Sequence, residues 1–357
     1  MYRRWIGGCC AALLASGALV TIACGSTPST TTKPGALTPL SFRTEYLPDG
    51  SYVPYVYAKQ KGYYAAEGLD VTLNYGKGSS FTVQDVANHG VDIGQASTGV
   101  LALTISKGAP LVVVGAYTAR SDIGFLVPVN SSIQSIKDLA GKKVITEPGA
   151  PEDILLPAVL KLAGISPDSV HKIVVSAQLA DSTYSSGTGD AISESIPFGA
   201  PLINPKRPSR ALPWSDVGFN LPGYSIFTTK TEVTSHPDVV EKFLRATYRG
   251  VVDAMKNSKE AVDLFAAANP TLQRTEISEQ WFQWTQFFCS KVMTTNSDVL
   301  GFSDPTDWQG GLDLLKQYQG LTGSTSPTDY TTNDMFKAPR TASTVSCSNL
   351  PLPSAPA

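Results

Sequence analysis

From residue 40 onward, short apolar runs alternate with stretches of helical spacing. L-S-F-R-T-E-Y gives way to a helical pattern over residues 51–66, V-T-L-N-Y to one over 81–87, and V-D-I-G-Q to one over 99–105, before L-V-V-V-G-A-Y. Strand-sized runs separated by single helices predict β-α repetition and a largely parallel sheet. The alternation resumes with K-K-V-I-T, a helix over 154–163 and K-I-V-V-S, then dissolves into an irregular Ser-, Gly- and Pro-rich segment, 181–223. After Y-S-I-F-T-T the chain turns helical. Val239, Val240, Phe243, Leu244, Thr247, Val251, Val252 and Met255 recur three and four apart, so one face of a long helix is core. Ser235-His236-Pro237-Asp238 reads as its start, with Ser235 as the cap. Further helices are expected from Ser258 to Asn269-Pro270, over 277–292 and over 308–318.

Two crossings organise these elements. G-F-L-V-P-V at 124–129 leads out of the leading α/β unit and Y-S-I-F-T-T at 224–229 leads back. A chain that leaves a lobe and returns makes two linkers. Residues 40–124 and 230–340 are therefore assigned to lobe 1, whose sheet the late helices would cover, and 130–223 to an inserted lobe 2. Residues 125–129 and 224–229 act as hinge strands that let the lobes close on a ligand. Residues 341–357 form a C-terminal tail.

The ends of the chain say where it works. Arg3 and Arg4 precede an almost uncharged apolar run that ends T-I-A-C-G-S, so residues 1–23 read as a secretory signal interrupted by too many glycines for a membrane span. The residues before Cys24 look like a bacterial lipobox, with Thr21 standing where Leu is usual, and imply cleavage and a lipid on Cys24. Twin-arginine export is the alternative to ordinary secretion. Residues 24–39, polar and proline-rich, suit a tether. The whole chain carries 28 basic and 30 acidic residues. Losing two arginines with the signal leaves it more acidic, which excludes a nucleic-acid partner. Cys9 and Cys10 leave with the signal and Cys24 would be lipidated, so Cys289 and Cys347 remain to pair in an oxidising compartment or to stand as two free thiols. Paired, they would pin the tail at a gain on the order of 4 kcal/mol.

The order K-G-Y-Y-A-A-E-G-L-D-V, V-D-I-G-Q-A-S, K-G-A-P-L-V-V-V-G-A-Y, S-S-I-Q-S-I-K-D-L-A-G-K-K-V, then G-D-A-I, A-L-P-W-S-D-V-G-F-N and D-P-T-D-W-Q resembles the substrate-binding proteins of ABC importers. Within them it is similar to the branch for thiamine-pyrimidine precursors and for nitrate, sulfonate and taurine, over most of residues 40–340. The resemblance implies an α/β, two-lobe type II periplasmic-binding-protein fold. It implies a monomer that captures a small-molecule solute, needs no cofactor and passes its cargo to an ABC permease and ATPase complex. It agrees with the N-terminal reading above of a place in the cell envelope, held to the membrane by a lipid alone.

In α/β lobes, ligands lie beyond the carboxyl ends of strands, where helix N-termini offer free N–H groups. Lobe 1 then offers Tyr46 and Tyr52, Gly78, Ser79, Ser80 and Thr82, Gln95, Ser97 and Thr98, and Tyr117. Gly78-Ser79-Ser80 reads equally as an ordinary helix cap. Lobe 2 offers Glu147 and Gly149 after one strand and Glu194 after another, with Tyr224 at the return crossing; Trp214 reads as packing. A nitrate or sulfonate site calls for cationic or abundant N–H donors, whereas only Lys77 and Arg120 stand near these junctions. Tyrosines and carboxyls suit a neutral or cationic heterocycle, although a backbone N–H cradle would still serve an anion.

The alternative class is an enzyme, since the fold also occurs in a pyrimidine-forming enzyme with clustered cysteines and a catalytic histidine. No such cluster is present, His89, His171 and His236 are far apart, and no G-x-S-x-G, H-E-x-x-H or G-x-x-x-x-G-K-[ST] occurs. A binding role without catalysis or metal is expected.

Overall fold

The computed structural model describes residues 36–289 and 298–353, so the signal segment, Cys24 and most of the tether lie outside the described residues. The chain runs β1 (Thr38–Arg43), α1 (Val53–Gln60), α2 (Tyr63–Ala66), β2 (Leu69–Asn74), α3 (Ser79–Ala87), β3 (Ile93–Ser97), α4 (Thr98–Ser106), β4 (Leu111–Ala116). It continues through β5 (Ile123–Pro128), β6 (Lys143–Thr146), α5 (Pro151–Ile154), α6 (Leu156–Leu162), β7 (His171–Val174), α7 (Ala177–Ser185), β8 (Ala191–Ser195), α8 (Ile196–Ile203) and β9 (Ser209–Pro213). It returns with β10 (Tyr224–Thr229), α9 (Lys230–Ser235), α10 (Pro237–Lys256), α11 (Ser258–Ala268), α12 (Arg274–Trp284) and α13 (Pro305–Tyr318). Among the described residues no helix is long and apolar enough to cross a membrane.

Two five-stranded sheets result, ordered β2-β1-β3-β10-β4 and β7-β6-β8-β5-β9. Each is mixed and not simply parallel, because one strand in each comes from the other side of a crossing. β10 runs antiparallel to β3 and β4, and β5 antiparallel to β8 and β9. This is the type II two-lobe α/β architecture. The chain passes between the sheets at 117–122 and 218–223, whereas 125–129 and 224–229, read above as hinge strands, lie almost wholly within the ladders of β5 and β10. The crossings pair with each other: Thr118 N donates to Tyr224 O at 3.0 Å and Ser121 N to Leu221 O at 3.2 Å. Gly223 is required there, since a Cβ would collide with Arg120 O and Thr118 Oγ1.

The segment 181–223 is ordered, not irregular, as β8, α8 and β9. Ile192 of β8 and Leu212 of β9 are buried in strands that flank β5, which supplies the pairing that local propensity lacks. β1 begins at Thr38, paired with Leu69, so the tether is shorter by two residues than its composition suggests. Ser235 ends α9 and does not cap α10, which starts at Pro237 and buries Val240, Phe243, Leu244, Thr247, Val251, Val252 and Met255 as its spacing requires. Nor do the late helices serve lobe 1 alone. α13 packs on α4 of the first sheet and on α6 of the second, and α12 on the loop before α1 and on α8. Cys289 and Cys347 form a disulfide spanning 58 residues, and Ala342 of the tail is buried in the core around α10.

Candidate functional site

The carboxyl ends of β1, β3, β6 and β8 open on a cavity between the sheets, where α/β folds place their ligands. About 490 Å³ there is not filled by protein atoms, space open to solvent included. The loop after β1 contributes Glu45, Tyr46, Asp49, Ser51 and Tyr52, β3 contributes Gln95, β10 Tyr224 and the end of α12 Trp284. From the other lobe come Glu147, Ala150 and Glu152 after β6, Ser193, Glu194 and Ser195 of β8, and Phe198 of α8. Five carboxyls thus face the cavity, and among the described residues no lysine, arginine or histidine lines it.

That imbalance shapes their protonation. Burial pushes Glu45 up to about 8, although Ser79 Oγ donates to its Oε1 at 3.0 Å and favours the charged form. Burial also pushes Asp49 and Glu147 up to about 7, and Asp122, beside Ser195 in the crossing, to about 7. Glu152 and Glu194 are held well above the ordinary carboxylate range, mainly by burial and then by neighbouring carboxyls. With no cation among them these groups cannot all ionise together at neutral pH, so several carry protons.

Glu194 is the most exacting case. A Cβ on Gly199 would overlap its carboxyl, so the bare backbone of α8 forms its seat. No N–H or O–H of the described residues donates to either of its oxygens, and Ser193 Oγ and Trp284 Nε1 are likewise buried without a partner. Buried polar atoms are normally paired; a carboxyl, a hydroxyl and an indole N–H left open around one cavity are the contacts a polar solute would complete. The aromatic wall comes from Tyr224 and Trp284, with centroids 5.8 Å apart, and from Tyr46 edge-on to Phe198 at 5.5 Å.

Contacts across the cavity hold the two faces together. Tyr46 hydroxyl donates to Glu147, and Ser80 N donates to Gly149 O at 3.4 Å. Gln280 of α12 spans both lobes, its Oε1 accepting from Gly50 N at 3.0 Å while its Nε2 donates to Phe198 O at 3.0 Å.

Of the residues singled out from sequence, Tyr46, Tyr52, Gln95, Glu147, Glu194 and Tyr224 meet at the cavity. The rest of the set does not line it. Ser79 lies behind Glu45, and its Oγ also accepts from Ser97 N at 2.9 Å. Thr82 Oγ1 donates to Thr44 O at 2.9 Å, and Thr98 Oγ1 bonds Ser225 Oγ at 2.7 Å. Gly78, Ser80 and Gly149 form the rim where the lobes touch. Tyr117 is packed on Tyr55 with centroids 4.8 Å apart. Trp214 is fully buried in packing, as expected. Arg120 grips the carbonyls of Gln286 and Cys289, while Lys77 sits over the Phe81 ring at 5.7 Å. His89, His171 and His236 are exposed, and among the described residues no cluster of His, Cys, Asp or Glu could hold a metal.

Sequence reasoning missed Glu45, Asp49, Glu152 and Trp284. Glu45 follows a strand run and reads as its outward-facing continuation, Asp49 doubles as a cap accepting from Ser51 N at 2.6 Å, and Glu152 sits where a helix start favours any acid. Trp284 arrives from a helix far along the chain, with no local signal.

A family model described as NMT1/THI5 like matches residues 50–261. The chain belongs to that family. Among curated proteins, this NMT1/THI5-like chain is 28% identical over 274 residues to the riboflavin-binding protein RibY of Chloroflexus aurantiacus, covering 74% of the chain and 76% of the relative. It is 27% identical to a 4-amino-5-hydroxymethyl-2-methylpyrimidine phosphate synthase of Legionella pneumophila, covering 68% of the chain and 77% of that enzyme. In fold it is similar to the alkanesulfonate-binding protein SsuA of Xanthomonas axonopodis pv. citri, with a TM-score of 0.63 at 16% identity, covering 83% of this chain and 99% of that one.

Proposed function

We propose that this protein captures a neutral or cationic nitrogen heterocycle of the aminopyrimidine or flavin kind and delivers it to an ABC permease. The observation that carries this reading is the cavity itself: aromatic walls, five carboxyls and no basic side chain. Such a lining accepts N–H donors and stacks a flat ring, and it offers a nitrate or sulfonate no basic side chain. The names of two relatives, one a riboflavin binder and one a pyrimidine-forming synthase, agree with a ring-shaped cargo. Tyr46, Tyr52, Gln95, Glu147, Glu194 and Tyr224 are the proposed contacts, joined by Glu45, Glu152 and Trp284. Export and a lipid on Cys24 complete the proposal and rest on the pattern of the N-terminal residues.

Thermal unfolding against aminopyrimidines, riboflavin, nitrate and alkanesulfonates tests it. A solute at 100 times its Kd adds about 2.7 kcal/mol to stability, a clear rise in Tm. A rise with a pyrimidine or flavin supports the reading; a rise with an anion alone refutes the choice of cargo. Formation of a pyrimidine phosphate by the purified protein would overturn the non-catalytic role.

A further inference from the structure

The amide of Gln95 is held from behind. Gln95, on β3, lines the cavity and is 1% exposed. The hydroxyl of Tyr55 on α1, a residue outside the lining, donates to Gln95 Oε1 at 2.7 Å. Tyr55 cannot turn aside, because its ring is stacked on Tyr117 with centroids 4.8 Å apart and tilted against Phe42 at 4.6 Å, all three buried. Tyr117 in turn is tied through its own hydroxyl to Ser51 O. With Oε1 taken, Nε2 is the end of the amide left for the cavity, and no acceptor among the described residues takes it up. The reverse orientation is disfavoured twice over. It would leave the buried phenol proton of Tyr55, which has no other acceptor among the described residues, without a partner. It would also aim a carbonyl oxygen into a cavity already lined by five carboxyls. A second donor stands beside the first. Tyr224 lies opposite Ser97 in the β3–β10 ladder, two residues along from Gln95 on the same face. Trp284, whose Nε1 is buried without a partner, packs on Tyr224 with centroids 5.8 Å apart. The lobe 1 side of the cavity thus presents N–H groups, where lobe 2 presents the bare carboxyl of Glu194.

We propose that Tyr55 is a positioning residue for solute capture: it fixes the Gln95 amide with Nε2 towards the cavity, so that a fitting solute offers an acceptor, a ring nitrogen or a carbonyl oxygen, to the first sheet while its own N–H groups meet Glu194. This deepens the heterocycle reading and rests on it. Among flat rings the site then selects those that carry an acceptor on one edge and a donor on another, as an aminopyrimidine does and aniline does not.

Infrared spectra of the solute-free protein test the held amide. The C–O stretch of Tyr55, found in the difference between wild type and Tyr55→Phe, reports whether its hydroxyl donates or accepts a hydrogen bond. It is expected to show a donor, and that signature should be lost in Gln95→Met, which keeps the length of the side chain without its amide. If Tyr55→Phe misfolds, the difference between wild type and Gln95→Met contains the same shift. Titration with 4-aminopyrimidine and with aniline, which has the ring and the amino group but no ring nitrogen, then tests selection. Wild type should favour 4-aminopyrimidine, and Tyr55→Phe and Gln95→Met should each lower that preference about ten-fold. The double variant should discriminate no worse than Gln95→Met alone. A Tyr55 hydroxyl that accepts from Gln95, or a folded Tyr55→Phe protein that keeps the wild-type preference, overturns the proposal even if pyrimidines bind. If Tyr55 donates as expected but wild type binds neither probe, the heterocycle reading falls, and the proposed solute class with it.

Discussion

A methyl group at Gly199 is the sharpest perturbation the site allows. In Gly199→Ala the new Cβ would overlap both oxygens and the carbon of the Glu194 carboxyl. That carboxyl is the far end of a flexible side chain, so it yields before the backbone of α8 does. Overpacking typically costs 1–3 kcal/mol, and replacing glycine inside a helix returns up to about 1 kcal/mol, so the fold should lose no more than about 2 kcal/mol. Binding is another matter, because the displaced carboxyl no longer meets the solute. Losing a hydrogen bond to such a group costs about 1.5–3 kcal/mol, roughly 10- to 100-fold in Kd. Calorimetric titration of wild type, Gly199→Ala, Glu194→Gln and the double variant measures this. If the methyl acts through Glu194, the double variant should bind no worse than the weaker single variant. Gly310→Ala is the control, since nothing lies within 4 Å of the Cβ it would add. A Gly199→Ala protein that is folded and binds within about two-fold of wild type would refute the placement of Glu194 at the solute.

Tyr46→Phe removes the hydroxyl that bridges to Glu147 and should weaken affinity by about 1 kcal/mol through the closed state; unchanged affinity means the contact does not hold the cleft shut. Gln280→Ala, which unties Gly50 from Phe198, should lower affinity more than it lowers the Tm of the solute-free protein, and the reverse order would show that Gln280 serves folding alone. Carboxyls raised by burial bind more protons in the folded site than in the unfolded chain, so their contribution is complete below about pH 4.5 and declines with rising pH. It is lost as Asp49, Asp122 and Glu147 ionise near 7 and Glu45 near 8. Solute-free Tm should therefore fall between about pH 5 and about pH 9, and a Tm that climbs over that span contradicts the protonated cavity. Replacing Cys289 and Cys347 by Ser opens a loop of 58 residues and should cost about 2–4 kcal/mol of stability with solute affinity retained; loss of affinity would tie the tail to the cleft.

The β-α alternation before residue 175 was readable from local spacing, helped where strands pair with near neighbours, as β1 does with β2 in register over six residues. The segment 181–223 was not, since β8 and β9 take their place from β5, more than 60 residues earlier. The site divides the same way. Tyr46, Glu147 and Glu194 announce themselves at strand ends, where α/β lobes expose their ligand contacts. Glu45 and Glu152 have the same chemistry, but their positions carry ordinary structural explanations, and only their burial beside one cavity distinguishes them.

The sequence by itself determined the class of fold, the two cysteines available to pair and the aromatic, acidic character of the strand ends. Those follow from composition and local spacing. Tertiary structure alone decided that both crossings lie outside β5 and β10, that α12 and α13 bridge the two lobes, and that Glu45, Glu152 and Trp284 line one cavity with Glu194. Each of these depends on which distant segments share a low-dielectric interior, and the protonation of a carboxyl is set by the charges and solvent around it, whatever its neighbours in the chain.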